Sequence, residues 1–247
     1  MRVGWIADEA RQIGGAELTQ AEFRQAAPEG VEIVDCPPGE VDDSCDAYVV
    51  HNCVRYDLLD LEVIKSRPAV KYWHDVGPWL ADGARELLDK HATAVCCSPI
   101  QADYMGLQDA ALIPPPVNLS RFEEAAKHVN GNRAGAVSVG SWRNHGKAPW
   151  RASEWANGRI DFYGDGPMAP RGCVPVAYED MPALLARYST FVHLPTVIEP
   201  FGRLVAEAWA AGCELVTNNL VGALHWIQND PGAIDTASRD FWRLVVD

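Results

Sequence analysis

Two glutamates eight positions apart are the strongest candidates for chemistry in this sequence. Glu199 and Glu207 lie in the segment TVIEPFGRLVAEAWAAG, residues 196–212, directly after an apolar run. Pro200 and Gly202 indicate a tight turn, and a helix that begins near Gly202 presents free backbone N–H groups to an anion such as a diphosphate. Glu207 would lie roughly 7–8 Å further along that helix. One carboxylate can therefore accept hydrogen bonds from sugar hydroxyls while the other holds a ribose.

A second interpretation of Glu207 stays open at this point. Leu204, Val205 and Ala208 form an apolar face that points away from Glu207. This arrangement is also typical of a glutamate on the solvent side of an amphipathic helix. The pattern of this helix alone does not decide between the two interpretations.

Glycines and a histidine follow strand-like runs in the first half of the chain. Gly14 and Gly15 precede Ala16 and Glu17, and glycines let a backbone approach phosphates at a helix start. A Gly-Gly pair is also an ordinary loop signal. His74 ends a strand-like run in YWHD, where open α/β sheets place ligands. The alternative is a structural histidine.

Basic and turn residues follow strands in the second half. The segment VGSWRNHGK, residues 139–147, contains Ser141, Arg143 and Lys147. A lysine there can neutralise a phosphate, or it can simply be solvated at the start of a helix. The segment FYGDGP contains Gly164 in a Gly-Asp-Gly-Pro turn, which is also a common turn sequence.

Short β-branched or apolar runs alternate with stretches of helical periodicity. That alternation is typical of parallel sheets with crossover helices, so the sequence predicts an α/β protein. The predicted strands are Val3–Ile6, Val31–Cys36, Ala47–Val50, Val70–Trp73, Thr93–Cys97, Ala136–Val139, Asp161–Tyr163, Thr190–Leu194 and Glu214–Thr217.

A domain boundary is predicted near residue 118. Three consecutive prolines at 114–116 can continue neither a helix nor a central strand. A polar segment, residues 118–133, follows them before the second series of strands begins. The predicted domains are therefore residues 1–118 and 119–247.

These segments, taken in order, resemble the Glu-x7-Glu signature family of GT-B glycosyltransferases, which includes glycogen synthases, sucrose synthases and bacterial mannosyl- and glucosyltransferases. The resemblance spans about residues 2–230 and is stronger in the second half. It implies two Rossmann-like domains whose parallel sheets face each other across a cleft. Residues 1–118 would form the acceptor-side domain, and residues 119–247 would bind the nucleotide sugar. Most members are much longer, so this chain resembles a shortened one, with Phe241–Val246 as the candidate for a helix that returns across the cleft.

The resemblance also implies roles for individual residues. Glu199 would contact the transferred sugar, with His74 near that sugar and Lys147 on the diphosphate leaving group. Glu207 would bind the ribose. The remaining binding residues would be Gly14, Gly15, Ser141, Arg143, Gly164, Phe201 and Gly202. Two departures from the family stand out, because Ser141 occupies the place of the usual phosphate-binding arginine, with Arg143 displaced by two residues, and Pro-Pro-Pro replaces the usual Pro-Asn-Gly of the linker.

The implied reaction is transfer of a hexose from a UDP- or GDP-sugar with retention of configuration, without a metal or a cofactor. The acceptor could be a saccharide, a lipid-linked sugar, a small molecule or modified DNA. Two alternatives are a phage-type enzyme that glucosylates DNA bases and a non-catalytic protein that binds nucleotide sugars. A dinucleotide oxidoreductase is disfavoured because Ala7–Gly15 lacks the Gly-x-Gly-x-x-Gly pattern.

Composition narrows the classes of partner. A net charge of -13 disfavours broad adhesion to nucleic acid or to anionic membranes. The sequence has neither an apolar run of about 18 residues nor a start typical of a secretion signal, so we expect a cytoplasmic protein. The seven cysteines have no metal-binding spacing, and buried free thiols are expected.

Overall fold

The chain forms two compact units, each built on a parallel sheet. In the computed structural model, unit 1 contains residues 1–116 and 232–247, and unit 2 contains residues 117–231. The structure describes residues 1–8, 14–77, 80–129, 132–143 and 145–247. The C-terminal segment therefore belongs to unit 1, whereas the sequence placed all of residues 119–247 in the second domain.

Strands occur wherever the sequence predicts them, with ends that differ by at most two residues. One further strand, β6, is too short to give a sequence pattern. The strands are β1 (Arg2–Ile6), β2 (Glu32–Asp35), β3 (Ala47–Val50), β4 (Ala69–Trp73), β5 (Thr93–Cys96), β6 (Ala111–Leu112), β7 (Ala134–Ser141), β8 (Ile160–Asp165), β9 (Tyr188–His193) and β10 (Glu214–Thr217).

Helices connect most of these strands, as parallel pairing requires. Short 3-10 turns cover Glu62–Lys65, His145–Lys147 and Tyr178–Asp180. The α-helices are α1 (Gly15–Gln25), α2 (Leu58–Leu61), α3 (Ala84–His91), α4 (Pro99–Met105), α5 (Ser120–Lys127), α6 (Pro149–Trp155), α7 (Met181–Ala186), α8 (Arg203–Ala210), α9 (Ala223–Asn229) and α10 (Gly232–Val246).

Unit 1 contains a six-stranded sheet in the order β2-β1-β3-β4-β5-β6. Every residue of β3 and β4 is buried, as expected for central strands of a parallel sheet covered on both faces. Helix α10 packs on this unit through its apolar side. Phe241 stacks on Phe23 with ring centroids 4.1 Å apart, and Trp242 Nε1 donates to the Phe23 carbonyl over 2.7 Å. These contacts explain why the C-terminal segment joins unit 1.

Unit 2 contains a four-stranded sheet in the order β10-β9-β7-β8. The register places Gly140 of β7 opposite Gly164 of β8. Gly164 has a φ of +116°, and a Cβ atom there would lie 2.0 Å from the Gly140 carbonyl oxygen. Any side chain at Gly164 would therefore force the two strands apart, which gives this glycine a structural role.

The cysteines are free thiols, as the sequence predicts. Six are buried, and Cys173 is partly exposed. Over the described ranges, no helix combines the length and the apolar character needed to cross a membrane.

Candidate functional site

Glu199 lies in a loop of unit 2 that follows β9. Its backbone N–H donates to the Leu220 carbonyl over 2.8 Å, and its carbonyl accepts from Gly222 N–H over 3.0 Å. These two bonds fix the loop against the segment that precedes α9. The side chain of Glu199 is therefore placed by backbone contacts on both sides of the residue.

The Glu199 carboxylate has a cationic partner on one oxygen and a histidine on the other. Lys147 Nζ donates to Oε1, and His193 Nε2 hydrogen-bonds Oε2. The exposed fractions are 25% for Lys147, 18% for Glu199 and 6% for His193. Burial alone would raise the pKa of Glu199, but the charge of Lys147 and the contact with His193 outweigh it and hold this pKa well below its usual range. We call these three residues the charged cluster.

The lysine of this cluster is held by an unusual backbone turn. Lys147 ends a 3-10 turn, and the next residue, Ala148, has a φ of +43°. Non-glycine residues in this left-handed region cost about 1–2 kcal/mol. Thr196 N–H donates to the Gly146 carbonyl over 2.9 Å, which ties the turn to the loop of Glu199. Strained backbone of this kind is found preferentially at functional sites.

Helix α8 begins where the sequence predicts, directly after Gly202. Gly202 has a φ of +83°, and a Cβ atom there would lie 2.8 Å from Val221 Cγ1. The turn therefore requires glycine. Phe201 is buried, and its carbonyl accepts from Ala223 N–H over 2.6 Å. The first N–H groups of α8 lie outside the helical hydrogen-bond ladder and carry the positive end of its dipole.

Glu207 is completely buried, so the interpretation that it faces solvent is wrong. The Tyr178 hydroxyl donates to Glu207 Oε1 over 2.7 Å, and Arg203 Nε lies 3.3 Å from the same oxygen. Burial, followed by the charge of Glu207, raises the pKa of Tyr178 to about 12. Glu207 is therefore held by Arg203, a cation one helical turn away, and by the phenol of Tyr178.

Ser141 and Arg143 lie outside both of these clusters. Ser141 ends β7 and is exposed, and Arg143 is exposed two residues later. The Arg143 N–H donates to the Ser141 carbonyl over 2.5 Å, so a tight backbone turn joins them. No described contact links Arg143 to Lys147 or Glu199, and its predicted phosphate role stays a prediction.

In unit 1, Gly14 and Gly15 mark the start of α1. Gly14 precedes the helix with extended backbone, and a Cβ atom there would lie 2.7 Å from Oε2 of Glu17, the end of a side chain that can move away. A Cβ atom at Gly15 would meet no atom within 4 Å. Local geometry therefore does not require a glycine at either position. Residues 9–13 of the preceding loop lie outside the described ranges.

His74 directly follows β4 and is only partly exposed. Its Nε2 lies 2.7 Å from Nδ1 of His51, and the two rings stack with centroids 5.0 Å apart. Burial, with a smaller contribution from Lys71, lowers the pKa of His74 to about 3. His74 is therefore a neutral hydrogen-bonding group over the physiological pH range.

No protein-family model and no curated protein matches the chain. Solved structures do match it. HepE from Anabaena, in a complex with UDP, aligns at a TM-score of 0.67 and 16% identity over 93% of this chain and 84% of HepE. AviGT4, a glycosyltransferase of avilamycin A biosynthesis, aligns at 0.62 and 15% over 98% and 91%. WaaG, a glycosyltransferase of lipopolysaccharide biosynthesis, aligns at 0.55 and 12% over 100% and 91%.

The chain has the GT-B fold. The identities are between 12% and 16%, so the likeness establishes the architecture of the chain. The neighbours are aligned over most of their own length, and the shortening that the family resemblance implies stays a prediction. HepE has also been crystallised with UDP-glucose.

Sequence reasoning missed three residues of this GT-B chain that hold the two glutamates. They are His193 on Glu199, and Tyr178 and Arg203 on Glu207. His193 ends β9 just as His74 follows β4, so the strand-end rule that found His74 could also have found it. Tyr178 lies 29 residues from Glu207 along the chain, and no local pattern joins them.

The family resemblance implies a reaction without a metal ion. Over the ranges that the structure describes, no group of three or more His, Cys, Asp or Glu side chains is arranged to hold a metal ion.

Proposed function

We propose that this protein transfers a hexose from a nucleoside-diphosphate sugar to an acceptor with retention of configuration. The observation that carries the proposal is the charged cluster beside the start of α8. A lysine, a carboxylate and the N-terminal end of α8 lie together there, in a fold that binds UDP and UDP-glucose in HepE.

Lys147 is the cation available for the diphosphate. It is the most exposed member of the charged cluster, and it pairs with Glu199. A diphosphate at the start of α8 would offer Lys147 a second, more highly charged partner. The helix dipole favours an anion at the same place. As the bond to the sugar breaks, negative charge grows on the leaving phosphate, and fixed donors aimed at that charge lower the barrier.

Glu199 supplies an ionised carboxylate for the sugar. Its lowered pKa keeps it charged at every pH at which the protein would act, so it accepts hydrogen bonds from sugar hydroxyls. His193 continues to hold Oε2 when Lys147 turns to the phosphate. The carboxylate thus keeps its orientation while its neutralising charge is shared. We assign no covalent nucleophile.

Glu207 is proposed to bind the ribose. A buried carboxylate at this place on α8 offers two acceptor oxygens for the hydroxyls of a ribose. Tyr178 already donates to Oε1, so ribose binding would share or displace that contact. The predicted roles of Phe201, Gly202, Gly14, Gly15, Gly164, Ser141 and Arg143 in donor binding belong to the same proposal. The proposal also includes a UDP- or GDP-sugar as the donor, a reaction without a metal and a cytoplasmic location.

A melting-shift screen tests this proposal. The purified protein is heated with UDP, GDP, UDP-glucose and GDP-mannose at equal concentrations, with and without a chelator. At a ligand concentration 100 times Kd, about 2.7 kcal/mol of added stability is expected. Failure of every nucleotide to raise the melting temperature would overturn the proposal.

Turnover then separates the proposal from its rivals. Release of the free nucleotide, with the transferred sugar in the same anomeric configuration by NMR, supports a retaining transferase. Nucleotide binding without any hydrolysis or transfer would instead identify a non-catalytic binding protein. Retention of duplex DNA in a gel at low salt would favour the DNA-modifying alternative.

A further inference from the structure

Three polar side chains of unit 1 meet at the carboxyl ends of β3 and β4. His51, which follows β3, is 0% exposed, and Lys71 of β4 is 2% exposed. Lys71 Nζ donates to the His51 carbonyl, and the His51 ring hydrogen-bonds His74. Buried polar groups that serve only packing are uncommon, because apolar residues of similar size avoid the desolvation cost.

The ring of His51 is fixed on several sides. Trp5 stacks on it at 4.7 Å with an interplanar angle of 27°, and the rings of Phe23 and Tyr72 lie 6.0 and 5.6 Å away. Its backbone N–H donates to the Ile6 carbonyl over 2.9 Å. His51 therefore has no room to turn, and its Nδ1 stays directed at His74.

Both imidazoles are neutral in this environment. Burial lowers the pKa of His51 well below 6.5, and the proximity of His74, Lys71 and Arg24 lowers it further. The same two causes, burial and Lys71, act on His74. Cys53, Asp75, Asp8 and Arg85 also face the lysine, and Asp8 and Asp75 favour its charged form. With both rings neutral, only one proton lies between Nδ1 of His51 and Nε2 of His74.

The Nε2 atom of His51 indicates which of the two rings carries that proton. Within the described ranges, His51 Nε2 is buried and has no hydrogen-bond partner. If His74 donated, His51 would carry its own proton on Nε2, as a buried N–H without an acceptor. If His51 donates, Nε2 is left only with an unused lone pair. Orphaned buried N–H groups are the rarer of the two, so the second arrangement is favoured.

We propose that His51 is a positioning residue that holds His74 in the tautomer protonated on Nδ1. His74 then presents a neutral N–H donor, through its remaining ring nitrogen, to an acceptor oxygen of the bound ligand. That the ligand is a nucleotide sugar rests on the proposed function. The assignment of the tautomer does not depend on the proposed function.

Long-range ¹H–¹⁵N NMR of protein labelled at histidine nitrogen tests the tautomer directly. The signals of the two residues are assigned from the His51→Phe and His74→Asn variants. We expect a protonated Nδ1 and an unprotonated Nε2 for both His51 and His74 at pH 7. A protonated Nε2 on His74, or a doubly protonated ring, would overturn the proposal whether or not the protein is an enzyme.

Kinetics of two His51 variants test the consequence. His51→Phe keeps an aromatic ring but loses the donor, whereas His51→Asn places an amide N–H2 near the position of Nδ1. Loss of an orienting partner commonly costs about tenfold in activity. We therefore expect kcat of His51→Phe to fall about tenfold while the affinity for UDP is unchanged, and His51→Asn to recover most of kcat. The matched control is His128→Phe, at an exposed histidine of unit 2.

Unchanged kcat in a folded His51→Phe variant would contradict the proposal. Equal losses in His51→Phe and His51→Asn, with equal losses of melting temperature, would show a purely structural role and contradict it too. If wild-type protein binds no nucleotide, the proposed function fails, and the NMR result alone decides the tautomer.

Discussion

The two units bury polar side chains under opposite electrostatic conditions. In unit 1, the pKa values of His51, His74 and Lys71 are all lowered, and burial is the largest cause for each. In unit 2, burial pushes the pKa of Glu199 upward, yet Lys147 and His193 hold it well below its usual range. Desolvation acts on both units. The difference lies in the neighbours, which are rings and like charges around the two histidines of unit 1 and opposite charges around Glu199 of unit 2.

This difference assigns different chemistry to the two units. Neutral histidines can donate or accept hydrogen bonds without adding charge near a ligand. The lysine, carboxylates and helix end of unit 2 can stabilise a diphosphate as it gains charge. We therefore expect charge-dependent steps to depend on unit 2, and orientation of uncharged groups to depend on unit 1.

Removal of Lys147 from unit 2 should cause the largest loss of activity. Lys147→Ala removes the cation proposed for the leaving group, and loss of one such donor costs about 10²–10³ in kcat. Steady-state kinetics with a nucleotide sugar checks this. The matched control is Lys127→Ala, because Lys127 is 69% exposed and pairs with Glu124 on the surface. A melting temperature that falls as severely as turnover would indicate that Lys147 has a structural role instead.

Glu207 provides the next largest effect. Glu207→Ala should weaken nucleotide binding by roughly 1–3 kcal/mol, because one partner of a buried polar contact is lost. Calorimetric titration measures this, and Glu207→Gln separates loss of charge from loss of packing. Glu154→Ala, at an exposed glutamate of α6, is the control. Unchanged affinity in a folded Glu207→Ala variant would remove the ribose assignment.

The neutral histidines of unit 1 should make the folded protein less stable in acid. Their pKa values in the folded state lie below 6.5, so the unfolded chain binds more protons and acid favours unfolding. The contribution of His74 to stability is complete above about pH 6.5 and should fall by about 1.4 kcal/mol per pH unit as the pH drops towards its folded-state pKa of about 3, and His51 acts in the same direction. Denaturant titrations at several pH values check this. The slope should be shallower in His74→Asn, and an identical slope would contradict the account.

The sequence predicted the parts of this molecule that depend on local patterns. Apolar runs located β1–β5 and β7–β10, and the Pro-Phe-Gly turn located the start of α8. A two-residue strand, β6, carries no periodicity and was missed. The attachment of α10 to unit 1 depends on contacts between Phe241 and Phe23, which are 218 residues apart.

Local sequence patterns also predicted part of the candidate site. Glu199 and Lys147, both named from the sequence, lie in contact with each other, while their roles toward a sugar and a diphosphate stay predictions. The partners His193, Tyr178 and Arg203 were missed because the packing of several elements determines what a buried carboxylate meets. The amphipathic pattern of α8 placed Glu207 on its polar side without indicating that this side is buried and meets Tyr178 of the 3-10 turn.

Calorimetric titration of UDP and GDP into three proteins tests the central claim most directly. The account predicts that wild-type protein binds one of them, that Lys147→Ala weakens its binding about tenfold or more, as loss of a charge-assisted hydrogen bond does, and that His74→Asn leaves it within about twofold. Absence of binding to wild-type protein, or equal losses in the two variants, would contradict it.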